Sequence, residues 1–266
     1  MREAKMRFVG SFRACLLLLL TACGGALGGS GAVEYSTSAA QNYERGMRKL
    51  EEEEWMDAAK YFAFLKARFP YSKFAVLADL RLGDAQFGAG GYLEAVDTYK
   101  LFIKFHPTHE QVANGYAAFR IAWANYKLLP SDWFLLPPSY EKDQGASLDA
   151  IRELRTFIRD YPTSPFLPRA KEMYAKVAKR LADHEWYVAN FYWKKGKWRG
   201  TILRLRVLRA DYPGTGYDED ALYLLGRAYV NDKRTEDAKK VFTELLDKYP
   251  KHRHAASARS ALGKLK

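Results

Sequence analysis

The sequence predicts an all-α fold built from five consecutive helix–turn–helix repeats. The main evidence is a spacing of two small residues and a proline that recurs five times, with the proline always twelve positions after the second small residue. Small side chains let two helices cross closely, and proline ends the second helix because it cannot donate the next helical hydrogen bond. The five sets are Gly46, Ala58 and Pro70; Gly83, Ala95 and Pro107; Ala122, Ala150 and Pro162; Ala189, Thr201 and Pro213; and Gly226, Ala238 and Pro250.

This spacing is the tetratricopeptide pattern, whose units stack side by side into a superhelix. In four copies the first small residue precedes the second by twelve positions, whereas in the third copy the step is twenty-eight. The insertion includes a proline-rich, apolar stretch at residues 128–138, so we expect it to be ordered. It either folds onto the repeats or presents its apolar residues to a partner. These residues are Trp133, Phe134, Leu135 and Leu136.

The repeats are expected to occupy two groups after an N-terminal leader and a tether. A first helix beginning near Ala39 opens the group of repeats one to three, at residues 39–167. Residues 168–195 are predicted to form one long helix, because apolar side chains recur on a single stripe. That helix opens the group of repeats four and five, at residues 168–266, and a basic helix at residues 254–266 is expected to cap the last repeat.

Residues 1–22 are predicted to be a secretory leader. Basic residues are followed by an apolar run at residues 14–20 that is too short to span a bilayer. Residues 20–23, with the sequence LTAC, resemble the bacterial lipobox, which implies that Cys23 is acylated, with palmitate among its acyl chains. An ordinary signal peptide that contains a cysteine is the alternative. The Gly- and Ser-rich residues 23–38 are then a flexible tether.

No motif indicates an enzyme, a metal site or a cofactor. The sequence lacks a phosphate-binding glycine loop, a nucleophile elbow and a pair of catalytic acids. His252 and His254 have no carboxylate or cysteine at ligand spacing in the sequence. The net charge of +12 is explained by a solvated basic face or by contact with anionic lipid or acidic partners. Nucleic acid is not an expected partner of an exported protein.

The expected binding surface is the concave side of the superhelix, which is lined mainly by the first helix of each repeat. Placing Gly46, Gly83 and Ala122 in register selects seven apolar or aromatic groove residues: Tyr43, Leu80, Phe87, Tyr116, Phe119, Trp123 and Tyr126. Exposed apolar patches of this kind usually mark partner sites. Two interpretations remain open: a groove that binds a peptide, or core residues covered by the repeats themselves.

Three segments of the chain resemble the BamD family of lipoproteins in the outer-membrane β-barrel assembly machinery. They are the PTH turn at residues 107–109, RFPYS at residues 68–72, and LADHEWYVANFYWKKGKW at residues 181–198. The resemblance implies a lipid-anchored scaffold on the periplasmic face of the outer membrane. It implies three kinds of partner: the barrel subunit BamA, other lipoproteins of the machinery and unfolded outer-membrane proteins.

The resemblance also implies a role for Arg204, which matches a family position where arginine forms an ion pair with BamA. A solvated basic residue is the alternative for this position. Two other classes of function are weighed against barrel assembly. One is a repeat lipoprotein that coordinates cell-wall synthesis. The sequence shows no oligomerising coiled coil of the kind expected in that class, which counts against it. The other is an enzyme fused to repeats, which the absence of a non-repeat domain disfavours.

Overall fold

The computed structural model describes residues 33–130 and 137–265, and these residues contain twelve α-helices, one 3₁₀ turn at Ser139–Glu141 and no β-strand. The all-α prediction is therefore confirmed. Cys23 and the apolar residues 133–136 lie outside the described residues. The helices are α1 (Ala39–Glu51), α2 (Trp55–Arg68), α3 (Lys73–Gly88), α4 (Tyr92–Phe105), α5 (Glu110–Ala113), α6 (Tyr116–Lys127), α7 (Gly145–Asp160), α8 (Leu167–Lys194), α9 (Trp198–Asp211), α10 (Asp218–Asn231), α11 (Thr235–Lys248) and α12 (Ala255–Lys264).

The helices pack in the pairs that the spacing predicts, with α1 on α2, α3 on α4, α6 on α7, α8 on α9 and α10 on α11. The second small residue of each repeat lies at the centre of a pair and is 0% exposed in all five repeats. Thr201 fits this position because its hydroxyl oxygen donates to the carbonyl oxygen of Lys197 at 3.3 Å. A buried polar group that is hydrogen-bonded carries little cost.

The first small residue of each repeat is matched to the size of the side chain that covers it. A methyl group on Gly46, Gly83 or Gly226 would lie 2.8, 2.8 or 2.5 Å from a ring atom of Phe62, Tyr99 or Phe242 respectively. The two repeats that have alanine at this position carry leucine where the others carry an aromatic ring, at Leu154 and Leu205. Glycine therefore accompanies a ring, and alanine accompanies leucine.

The long helix α8 begins and ends within one residue of the predicted bounds and holds both ends of the insertion. Arg180 of α8 donates to the carbonyl oxygen of Pro130 at 2.8 Å. His184 Nδ1 lies 2.7 Å from the carbonyl oxygen of Tyr140, whose ring centroid is 5.4 Å from that of Tyr187. The described residues on both sides of residues 131–136 therefore contact α8.

The last residues of the predicted tether contact the first repeat. The ring of Tyr35 stacks on Phe64 at 4.0 Å between centroids. Asn42, which is 0% exposed, donates to the carbonyl oxygens of Ser36 and Ser38 at 2.7 and 2.9 Å. Ser38 caps α1 through its side chain. The chain thus joins the first repeat at Tyr35, which is four residues before α1 begins.

Residues 35–266 form one compact unit, so the division into two repeat groups stays a prediction. Apolar packing is continuous from the third repeat to α12, because one buried cluster extends from Phe119 to Ala258. Among the described helices, none combines the length and the apolar character needed to cross a bilayer.

Candidate peptide-binding groove

The structure divides the seven predicted groove residues into a buried set and a partly exposed set. Leu80, Phe119 and Phe87 are only 1%, 2% and 9% exposed, so they belong to the core. The partly exposed residues are Tyr43, Tyr116, Trp123 and Tyr126. A ligand on this side of the repeats would contact the partly exposed residues, and the buried residues would pack beneath them.

Four of the seven residues form one aromatic cluster between the second and third repeats. The ring of Trp123 lies 4.9 Å from Phe87 and 5.7 Å from Phe119, measured between centroids. Phe166, which immediately precedes α8, stacks on Phe119 at 5.0 Å and meets Tyr116 at 5.7 Å. Tyr43 instead packs with Phe62 of the first repeat and Phe74 of the second. Leu80 contributes to the core of the second repeat, and Tyr126 lies against the buried cluster that extends from the third repeat to α12.

Two arginines pack against the rings of this cluster. The guanidinium carbon of Arg120 is 3.9 Å from the ring centroid of Phe87 and 5.3 Å from that of Trp123. The guanidinium carbon of Arg169 lies 3.7 Å from the Trp123 centroid, so two arginines contact this one indole. Phe87, Arg120, Trp123 and Arg169 together form what we name the cation–aromatic strip. Guanidinium groups stack well on aromatic rings and keep their hydrogen-bond donors available at the edges.

A buried carboxylate positions Arg120 in the strip. Asp84, whose side chain is 7% exposed, accepts hydrogen bonds from the hydroxyl groups of Tyr99 and Tyr116 at 2.6 and 2.7 Å. Its other oxygen accepts from Arg81 at 2.7 Å. Arg120 Nε donates to the Tyr99 hydroxyl oxygen at 2.8 Å and lies 3.4 Å from Asp84. Charge-assisted bonds of this kind hold a side chain in one orientation.

The tyrosines of this network remain protonated donors at neutral pH. Burial raises the pKa of Tyr99 well above its ordinary value, and the neighbouring Asp84 carboxylate raises it further. The same two causes raise the pKa of Tyr116. Both hydroxyl groups therefore donate to Asp84 throughout the physiological pH range.

Repeats four and five carry a second set of aromatic and cationic residues at the equivalent helix positions. Trp186 stacks on Tyr217 at 5.1 Å. The guanidinium carbon of Arg227 lies 4.8 Å from the ring centroid of Trp193 and 5.7 Å from that of Tyr223. The aromatic character of the concave positions thus continues beyond the three repeats in which it was predicted.

Arg204 lies on α9 and has a partner within its own chain. Its Nη1 atom donates to the two carboxylate oxygens of Glu185 at 3.2 and 3.3 Å. The Glu185 side chain is 11% exposed, whereas that of Arg204 is 35% exposed. Arg204 therefore neutralises a buried carboxylate of α8 while part of its side chain remains at the surface.

Two carboxylates lie close to the histidine pair that was considered for a metal site. His252 Nε2 is 3.3 Å from both Glu219 and Asp220, and His254 stacks on Tyr223 at 4.1 Å. Within the described part of the chain, however, no three histidine, cysteine or acidic side chains are arranged to hold a metal ion. These side-chain contacts join the start of α10 to the turn before α12.

Sequence reasoning found the aromatic residues but missed Arg120, Arg169 and Phe166. Arg120 stands next to a groove position rather than on one, and the other two lie at the start of α8, outside the repeat register. Only the packing of α6 against α8 brings them together. The aromatic residues of the fourth and fifth repeats were detectable, because they follow the same register.

Comparison with known proteins agrees with this architecture. The model of the YfiO family, described as an outer membrane lipoprotein, matches residues 36–240. The outer membrane protein assembly factor BamD of Xylella fastidiosa strain 9a5c is 25% identical over 191 residues, which cover 71% of this chain and 65% of that protein. BamD of Caulobacter vibrioides is also 25% identical over 198 residues, which cover 74% of this chain and 62% of that protein. BamD of Rickettsia prowazekii is 26% identical over 208 residues, which cover 78% of this chain and 79% of that protein.

This chain thus spans less than two thirds of the length of the first two of these relatives. All three relatives are named as assembly factors, in agreement with the expectation that the protein is not an enzyme.

Proposed function

The chain belongs to the YfiO family of outer membrane lipoproteins, and on this premise we propose that it is an assembly factor for outer-membrane β-barrel proteins. In this role it is a scaffold that is anchored by acylated Cys23 on the periplasmic face of the outer membrane. It binds a BamA-like barrel protein, other lipoproteins of the machinery and unfolded barrel substrates. The observation that carries the proposal is the family match over residues 36–240, which extends from the first repeat into the fifth.

The unfolded substrate is proposed to bind along the cation–aromatic strip. Strands of outer-membrane barrels alternate apolar and polar residues and carry aromatic residues near both ends. An extended segment of this kind can stack a ring beside Trp123 while its backbone carbonyl groups accept from Arg120 or Arg169. Asp84 stabilises this surface because its carboxylate lies 3.4 Å from Arg120 and holds that side chain in place.

The substrate site is tested with an extended peptide of alternating apolar and polar residues that ends in phenylalanine. Trp123→Ala is expected to weaken binding of the labelled peptide about tenfold or more, as measured by fluorescence anisotropy, because removal of a central aromatic anchor typically costs about 2 kcal/mol. The matched control is Tyr187→Ala, since Tyr187 is 42% exposed on α8 and lies outside the strip.

Thermal unfolding distinguishes loss of binding from loss of the fold. Phe119→Ala is expected to destabilise the repeats by about 3–5 kcal/mol, because Phe119 is 2% exposed. If Trp123→Ala lowers stability as much as Phe119→Ala does, Trp123 is a core residue and the groove proposal fails. Unchanged peptide binding by a stable Trp123→Ala protein would overturn it as well.

The barrel subunit is proposed to dock on the exposed face of α9. A surface cleft of about 490 Å³ is lined there by Trp198, Arg199, Leu203 and Arg204 together with the end of α8. The Arg199 side chain lies 3.6 Å from Asp232 and is 91% exposed, and Leu203 is 60% exposed, so both present surface to a partner. A basic rim around an apolar residue suits a docking domain that presents carboxylates.

Two charge reversals distinguish docking on α9 from the pairing of Arg204 with buried Glu185. Arg204→Glu places a second carboxylate beside buried Glu185, so it is expected to lower stability as well as docking. Arg199→Glu leaves Glu185 paired but replaces the contact of Arg199 with Asp232 by two like charges, so it is expected to reduce co-purification of the barrel subunit with a loss of stability well below that of Arg204→Glu, because Arg199 is 91% exposed. The control is Lys100→Glu on the exposed side of α4. If neither Arg199→Glu nor Arg204→Glu reduces co-purification, the barrel subunit docks elsewhere.

A further inference from the structure

Two aromatic rings and a leucine are exposed where the helices α2 and α4 end. Tyr71, in the turn after α2, is 102% exposed, and Leu101 and Phe105, in the last two turns of α4, are 52% and 66% exposed. At the position of Phe105, the third, fourth and fifth repeats carry polar residues: Asp160, Asp211 and Lys248. The exposed ring of Phe105 is therefore not required by the repeat pattern.

A shared carboxylate brings the ends of α2 and α4 together. Asp79 of α3 lies 2.6 Å from Lys66 Nζ in the last turn of α2. The other oxygen of Asp79 lies 3.3 Å from Nε2 of His106, the residue that follows Phe105. The ends of the two helices are thus held on either side of one side chain, and they form one edge of the repeats.

Three exposed cations accompany the apolar side chains on this edge. One ends α2, one begins α3, and one directly precedes Phe105, with its ammonium nitrogen 5.6 Å from the Phe105 ring centroid. The exposed carboxylates nearest to Phe105 along the chain, Asp97 and Glu110, are outnumbered by these cations. We name these six residues the basic aromatic edge: Arg68, Tyr71, Lys73, Leu101, Lys104 and Phe105.

The chain joins the repeats beside this edge. Tyr35 stacks on Phe64 of α2, and the ring centroid of Phe64 is 6.2 Å from that of Phe69, two residues before Tyr71. Tyr35 stands twelve residues after Cys23, and that length of chain spans at most about 40 Å. A lipid on Cys23 would therefore keep the first repeat, and with it the basic aromatic edge, close to the bilayer.

We propose that the basic aromatic edge rests on the membrane surface and binds anionic lipid headgroups. Its apolar side chains enter the interfacial region of the bilayer, where aromatic rings are favoured. Its cations extend their charged ends toward the lipid phosphate groups. This second contact fixes the orientation of the repeats, which a lipid at the far end of a tether does not. The inference rests on the proposed lipid anchor, which brings this edge to the membrane.

The test measures vesicle binding without the acyl chains. The predicted mature chain, carrying Cys23→Ser, is sedimented with vesicles of phosphatidylcholine or of an equal mixture of phosphatidylcholine and phosphatidylglycerol. We expect binding to the mixed vesicles and much weaker binding to phosphatidylcholine alone, because each cation near an anionic surface strengthens binding about fivefold. High salt should weaken the binding, since it screens these charges.

Two double substitutions separate the apolar contribution from the cationic one. Leu101→Ser with Phe105→Ser should weaken binding to mixed vesicles about tenfold or more, because two apolar side chains no longer leave water. Arg68→Gln with Lys104→Gln should weaken it about tenfold or more at low salt and much less at high salt. All four positions are exposed, so thermal unfolding should change little.

The matched control is Met56→Ser with Leu93→Ser. These side chains are 67% and 63% exposed at the starts of α2 and α4, which is the opposite end of the same two helices. The control should therefore bind mixed vesicles like the unsubstituted chain. A loss equal to that of Leu101→Ser with Phe105→Ser would show that the contact is not at the basic aromatic edge, and the proposal would fail.

Two other outcomes would overturn the proposal. One is the absence of sedimentation with mixed vesicles. The other is vesicle binding that Leu101→Ser with Phe105→Ser leaves unchanged, and if that variant also loses a protein recovered in a pull-down, the edge is a protein interface. Recovery of a barrel protein tests barrel assembly separately, so either proposal can fail while the other stands.

Discussion

The match between glycine and an aromatic ring makes Gly226→Ala a quantitative test of the repeat packing. The added methyl group would lie 2.5 Å from Cε1 of Phe242, a ring that is 0% exposed. Overpacking of this kind costs about 1–3 kcal/mol. Alanine offsets about 0.8–1.0 kcal/mol of this because it favours the helix over glycine. We therefore expect a net destabilisation of about 1 kcal/mol.

The size of the opposing residue should determine the sign of the effect. Alanine already occurs at Ala122 and Ala189, where leucine replaces the ring. Adding Phe242→Leu to Gly226→Ala should therefore recover part of the loss, with a coupling energy of about 1 kcal/mol in a double-mutant cycle. Gly263→Ala is the control, because nothing lies within 4 Å of its new methyl group, and it should stabilise α12 slightly.

The assay is urea and thermal unfolding followed by far-ultraviolet circular dichroism. For a chain of this size a loss of 1 kcal/mol lowers the midpoint temperature by about 2–4 °C. Equal stability of Gly226→Ala and Gly263→Ala would contradict a steric match between position 226 and the Phe242 ring. So would a double-mutant cycle in which the two changes at positions 226 and 242 are simply additive.

Three further changes have defined outcomes. Asp84→Ala should cost about 3–5 kcal/mol in urea unfolding, because it leaves the buried charge of Arg120 without its carboxylate, whereas Asp84→Asn should cost less. Tyr35→Ala should lower stability by about 1 kcal/mol and speed proteolysis before Ser38, because the stacking on Phe64 is lost. Burial raises the pKa of Glu244, but Lys248 and Arg209 more than offset this and the net pKa is lowered. The resulting stabilisation is present above the unfolded pKa of 4.5 and is lost as the pH falls through the lower folded value. Glu244→Gln should therefore cost a few tenths of a kcal/mol at neutral pH and nothing at about pH 2.

The repeat architecture was predictable because each unit repeats the same steric requirement. Two helices can cross closely only at small residues, so the positions of Ala58, Ala95 and Ala238 are readable without coordinates. Thr201 was an apparent exception, and its explanation is a local hydrogen bond to Lys197.

The composition of the groove was only partly predictable, because it depends on packing between repeats. The register selects Trp123, which is partly exposed, but it also selects Phe119, which packs under Phe166 and is buried. Likewise the pairing of Arg204 with Glu185 joins two helices and has no signature in the local sequence. Ion pairs and ring stacks across repeats require the crossing geometry, which spacing alone does not supply.

Membership of the barrel-assembly machinery is tested most directly by a pull-down of the tagged protein from its own membranes in mild detergent, followed by mass spectrometry. We predict recovery of a BamA-like barrel protein together with lipoproteins of the machinery, and a reduced yield with Arg199→Glu. Recovery of cell-wall synthases without any such barrel protein would contradict it.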